Sequence, residues 1–122
     1  ISDVGASWFV PNLMGRARAN GMGLLGEDIS AKQAKEWGLI WDCVPDEELI
    51  PKAEEIAKKL ANGPITGLKE IVKAHDKALS GSLSEQLDYE KETQRIRLDS
   101  KDFREGVTAF AEKRKPNFKD LD

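Results

Sequence analysis

The chain has 122 residues, 39% of them hydrophobic, and 19 basic against 22 acidic side chains leave a formal charge of −3. That length allows one domain with a modest core, and the slightly acidic balance argues against nucleic acid or an anionic membrane as the main partner. No apolar run approaches the ~20 residues that span a bilayer, and a single cysteine, Cys43, rules out an internal disulfide.

The first eighteen residues carry the most information. Asp3 is followed at once by Val4, Gly5 and Ala6, a pattern that opens a short helix from about Gly5 to Leu13, with the carboxylate near the free N–H groups of its first turn. Asp3 is therefore either a helix cap or a site. Gly5 and Ala6 leave room beside it, and Trp8, Phe9, Val10 and Leu13 supply an apolar wall that can tune the proton affinity of an acid. A second helix is expected from Arg16 to Leu25, weakened at Gly21 and Gly23 by about 1 kcal/mol each relative to Ala.

Gly26-Glu27-Asp28 turns the chain, and Ser30 with Gln33 has the capping-box spacing for a helix ending at Trp37-Gly38. Leu39 to Val44 is the one convincing strand, and Cys43 within it is expected to be a buried, reduced thiol. Asp46 is placed as the cap of a helix whose Leu49, Ala53, Ile56 and Leu60 share a face, with Pro51 tolerated early or kinking it. After Asn62-Gly63-Pro64 a further helix carries Ile65, Leu68, Val72, His75 and Leu79 in one stripe. His75, the only histidine, reads there as a packing or subunit-contact residue, so neither a Ser-His triad nor a His-based metal site can be built from these residues. No metal site is expected.

Ser82 and Glu85 form another capping box at the start of a long helix to about Leu98. Its face mixes Leu83, Leu87, Ile96 and Leu98 with charges, which suits either a solvated surface or a subunit interface. A last helix, about Lys101 to Glu112, presents Phe103, Val107 and Phe110, and the chain closes on the basic tail Lys113-Arg-Lys-Pro-Asn-Phe-Lys119. The expectation is a mainly α chain of about six helices and one short strand.

Several stretches together carry a resemblance. Ile1-Ser-Asp-Val-Gly-Ala-Ser-Trp-Phe-Val-Pro, Gly15-Arg-Ala-Arg, Leu25-Gly-Glu-Asp-Ile-Ser-Ala31, Ala34-Lys-Glu-Trp-Gly-Leu39, Val44-Pro and Arg104-Glu-Gly-Val-Thr-Ala-Phe-Ala-Glu-Lys-Arg-Lys-Pro-Asn-Phe118 look, in this order, like the C-terminal half of a crotonase-family protein. That family comprises enoyl-CoA hydratases and isomerases. Within it, the chain is most similar to the isomerase branch that includes 1,2-epoxyphenylacetyl-CoA isomerases, in which an Asp stands at the place of Asp3. Ser2 and Ala6 depart from the usual Pro and Gly of that motif.

The resemblance implies a fragment of a longer α/β protein with a crotonase-like spiral. Residues 1–62 would be the end of that core, and residues 63–122 a helical region for trimerisation and for covering the carrier. It implies proton transfer beside an acyl-CoA thioester, with Asp3 as the catalytic base and with oxyanion donors upstream of this sequence. Trp8 and Phe9 would line the acyl pocket or simply form core. Phe110 and Lys113 would close over coenzyme A, with Arg114 and Lys115 offering further cations, although a basic tail can equally be solvated. No cofactor is implied beyond coenzyme A as the substrate's carrier. The partners implied are an acyl-CoA substrate and copies of the same chain in a trimer or hexamer, in the cytoplasm, with no nucleic acid or membrane. The rival readings are enoyl-CoA hydratase and a non-catalytic assembly fragment.

Overall fold

Three serines start three helices. Ser30, Ser82 and Ser100 sit in extended backbone, and each accepts through Oγ the N–H three residues on: Gln33 at 3.1 Å, Glu85 at 3.3 Å and Phe103 at 3.2 Å. Each bond satisfies a donor that an isolated helix start leaves open. At Ser82 the box is complete, because Glu85 Oε2 accepts the Ser82 N–H at 2.8 Å. That contact, followed by the Ser82 hydroxyl, holds the Glu85 carboxyl below its ordinary range.

The computed structural model describes residues 3–119 and 121. Among them are seven helices: α1 (Ala6–Met14), α2 (Arg16–Leu25), α3 (Ala31–Glu36), α4 (Asp46–Ala61), α5 (Ile65–Ala78), α6 (Leu83–Arg97) and α7 (Lys101–Ala111). The mainly helical expectation holds, with seven helices in place of about six. The expected strand at 39–44 does not form, and these residues run as bends and irregular chain. A strand is stabilised by pairing with another, and no second extended element exists among the described residues. Cys43 is half-buried where full burial was expected, and its N–H donates to Asp42 Oδ1 at 2.9 Å. Asp46 is the first residue of α4 and not its cap, one position from expectation; Glu48 N–H turns back to Pro45 O at 2.9 Å.

The helix ends follow equally local chemistry. After α3, Leu39 N–H reaches Ala34 O at 2.9 Å and Gly38 N–H reaches Lys35 O at 3.0 Å, with Gly38 at φ +80°. This is a Schellman closure, whose left-handed residue is usually glycine because no Cβ opposes it. In α4, Asp46, Glu47 and Glu48 lie in the first turn and Lys58 and Lys59 in the last, which complements the helix dipole at both ends.

The chain divides into two compact units, Ile1–Pro51 and Lys52–Asp122. In the first, α1 packs on α2, and the Arg18 guanidinium lies 5.5 Å from the Trp37 ring centroid. In the second, α5 packs on α6. Gln86 Nε2 donates to Ala74 O at 3.2 Å, and Tyr89 Oη donates to Glu70 Oε2 at 3.1 Å across that seam. Lys73 and then Tyr89 hold the Glu70 carboxyl below its ordinary range.

The buried apolar side chains are only Met14, Ala34 and Ala109 among the described residues. Ile71, Val72 and Leu79 of α5 and Leu83 and Leu87 of α6 are all more than half exposed. These apolar side chains therefore stand open on the faces of α5 and α6 within this chain. His75, expected as a packing or subunit-contact residue, is exposed within this chain, so it is not packed here. No helix among the described residues is long and apolar enough to cross a membrane.

Candidate active site

Asp3 occupies the first position of a tight turn into α1. Its carbonyl accepts the Ala6 N–H at 2.9 Å, and the two central residues, Val4 and Gly5, both have positive φ, +50° and +81°. That is the signature of a type I′ turn, which glycine tolerates and a β-branched residue resists. Val4 in the left-handed region stores on the order of 1–3 kcal/mol of strain, and such strain gathers at functional positions.

The helix start itself is formed by Gly5, without a side-chain cap hydrogen bond. The Asp3 carboxylate is thus not the cap of α1, and Asp3 is solvent-exposed. Gly5 is required twice over. Its φ of +81° favours glycine, and a Cβ there would lie 3.0 Å from Phe9 Cε2 and 3.2 Å from Phe9 Cδ2. The Phe9 ring is therefore laid against the turn that carries Asp3. Trp8 and Phe9 are 56% and 57% exposed, so neither is core within this unit, and each leaves aromatic surface open on the first turn of α1.

Phe110 and Lys113 belong to the second unit, where the end of α7 brings them together. Lys113 N–H donates to Phe110 O at 3.2 Å and Arg114 N–H to Ala109 O at 3.0 Å, the same closure as at the end of α3. Here the left-handed residue is Lys113, at φ +54°. Phe110 is 87% exposed.

Arg114 is not the spare cation that the tail composition suggests. Its Nη1 and Nη2 meet Glu105 Oε1 and Oε2 at 2.6 and 3.0 Å, and its Nε meets Glu112 Oε2 at 2.6 Å. Glu105 Oε1 also accepts the Asn117 N–H at 2.7 Å, which folds the tail back along α7. The Arg114 guanidinium and then the Asn117 N–H pull the Glu105 carboxyl down to about 2, while Glu105 and Glu112 push the Arg114 group further up. This Glu105–Arg114–Asn117 cluster was missed from sequence, because the partners are nine and twelve residues apart and meet only where the chain reverses beyond a helix end.

Comparison with known proteins gives the class first. The chain matches the crystal structure of enoyl-CoA hydratase from Bacillus anthracis with a TM-score of 0.88 at 36% identity, over 94% of this chain and 45% of that one. It is a helical portion of a crotonase-fold protein, and its surroundings in that fold are α/β. The enoyl-CoA hydratase/isomerase family model matches residues 1–121, and the chain belongs to that family. It is 48% identical over 118 residues to 1,2-epoxyphenylacetyl-CoA isomerase of Escherichia coli (strain K12), a match covering 97% of this chain and 45% of that protein. It is 37% identical over 123 residues to the mitochondrial enoyl-CoA hydratase of Pongo abelii, covering 98% and 41%. The chain thus spans under half the length of these curated relatives.

Proposed function

We propose that the whole protein carrying this chain is an acyl-CoA isomerase of the enoyl-CoA hydratase/isomerase family, with Asp3 as its catalytic base. The observation that carries the reading is the turn at Asp3: an exposed carboxylate at the head of a strained Val4–Gly5 turn, with α1 started by Gly5 instead. The 48% identity to a protein named as an epoxyphenylacetyl-CoA isomerase supports it.

The chemistry needs two things. Removing a proton near the thioester builds charge on its oxygen, and preorganised N–H donors stabilise that enolate by several kcal/mol, about 3 per donor. We assign those donors to the part of the protein outside this sequence. The second requirement is one base that accepts the proton on one side and returns it on the other. A single carboxylate suits this task, because one positioned oxygen can take the proton from one carbon and hand it back to the next. Phe110 would offer a flat surface to the adenine, and Lys113 a cation to the carrier's phosphates. In this proposal residues 63–122 also join copies of the chain in a trimer or hexamer, in the cytoplasm.

Hydration is the second reading, favoured by the relative named as an enoyl-CoA hydratase. Mass spectrometry of products from a panel of enoyl- and epoxyacyl-CoA substrates separates the two. Isomerisation leaves the mass unchanged; addition of one water would overturn the isomerase reading in favour of hydration.

A further inference from the structure

Two helices of this chain end in the same hydrogen-bonded closure, and they differ at its left-handed residue. At the end of α3 that residue is Gly38, at φ +80°; at the end of α7 it is Lys113, at φ +54°. A lysine there pays for its Cβ, and such conformations persist only where the surroundings over-determine them. The surroundings of Lys113 do so. On its C-terminal side Arg114 is gripped by Glu105 at both ends and by Glu112, and the chain three residues further on is tied to Glu105 again through Asn117 N–H. The side-chain exposures of Arg114 and Glu105 are 40% and 18%, so the grip is partly shielded. The same grip neutralises Arg114, while among the described residues neither Lys113 nor Lys115 is ion-paired.

We propose that Glu105 is a positioning residue for carrier binding: through Arg114 and Asn117 it holds Lys113 in the left-handed conformation beside Phe110, fixing one cation and one aromatic surface for the phosphate and adenine end of coenzyme A. This rests on the acyl-CoA reading above. It accounts for a lysine where glycine is the less strained choice, and for the use of two carboxylates on one arginine in a tail otherwise rich in positive charge. In this proposal the cluster acts only through the residues assigned to the carrier, so it governs affinity for coenzyme A and not the chemical step.

The test compares, in the whole protein, an acyl-CoA with the acyl-pantetheine thioester of the same acyl group, which lacks the nucleotide. Glu105→Gln and, breaking the grip from the other side, Arg114→Gln should each raise KM for the CoA thioester about tenfold, leaving kcat and the pantetheine KM unchanged. Lys113→Gly should raise the same KM while raising Tm by about 2 °C, because the strain is relieved. Adding Glu105→Gln to Lys113→Gly should raise KM no further. If Lys113→Gly weakens CoA binding but Glu105→Gln and Arg114→Gln only lower Tm, or raise both KM values alike, Glu105 is a structural staple and the proposal is wrong. If Lys113→Gly and Phe110→Ala leave the acyl-CoA KM untouched, the carrier site itself is misplaced, and the positioning role falls with it.

Discussion

Arg97 Nη2 lies 2.5 Å from Asp102 Oδ2, joining the last turn of α6 to the first turn of α7, with side-chain exposures of only 23% and 10%. The pair sits on the wall of a groove of about 420 Å³ shared with Leu68, Ile71 and Phe103. Asp102→Ala removes the charge partner of a mostly buried guanidinium, and leaving such a group unpaired costs about 2–4 kcal/mol. Denaturant unfolding of the whole protein should show that loss. A change under about 0.5 kcal/mol, the scale of an exposed pair, would mean that Arg97 finds water or another acceptor.

The Glu105 carboxyl gives a pH prediction with a definite sign. Its proton affinity is depressed from 4.5 to about 2 in the folded chain. A group depressed on folding stabilises the fold fully above its unfolded value, and that contribution is lost as pH falls. The tail should thus hold above pH 4.5 and loosen progressively down to about 2. Carboxyl NMR should place the Glu105 midpoint near 2, and Glu105→Gln should flatten the acid limb of stability in that window. A midpoint near 4.5 would show that Arg114 does not grip it in solution.

The exposed faces of α5 and α6 predict self-association. Leu68 is a poor probe of it, since its Cδ1 lies only 3.1 Å from where a Cβ on Gly63 would stand, so it already packs within the chain. Val72, 60% exposed, is a better one. Val72→Asp should shift sedimentation toward the monomer without unfolding the helix, because a charge in an apolar interface costs several kcal/mol, about 3 or more. A wild-type protein that sediments as a monomer at high concentration would contradict this.

Serine-capped helix starts were the most legible feature of the sequence, because a serine oxygen with its N–H donor three residues on is a local device. Ser82 forms the full box as read, while at Ser30 only the hydroxyl half is made, Ser30 Oγ accepting the Gln33 N–H. What needs a distant partner was not legible. Residues 39–44 have strand composition but nothing to pair with among the described residues, and Arg114 reads as a free cation until the chain reversal brings Glu105 to it. His75 shows the same limit: its stripe is real in the helical register, yet the surface that would cover it is not supplied by these residues. In the candidate site, Asp3 and its aromatic neighbours stood out in sequence, whereas the strain at Val4 and the left-handed Lys113 are backbone facts that composition does not carry.

Residues 1–122 alone should show no isomerase or hydratase turnover, since the proposed enolate-stabilising donors lie outside them and a base without a polarised thioester has nothing to act on. Turnover by the purified chain would show that the site is not divided in this way.

The central claim is the role of Asp3, and Asp3→Asn in the whole protein tests it most directly. Gly5, not the Asp3 side chain, begins α1, so the substitution should change unfolding stability by no more than is typical of exposed sites, about 0.5 kcal/mol. It removes only the proton acceptor. Isomerisation of an acyl-CoA substrate should fall on the order of 10²–10⁴-fold in kcat, as for loss of a general base, with KM for the CoA thioester little changed. Wild-type isomerisation by a normally folded Asp3→Asn protein would contradict the assignment of Asp3 as the base.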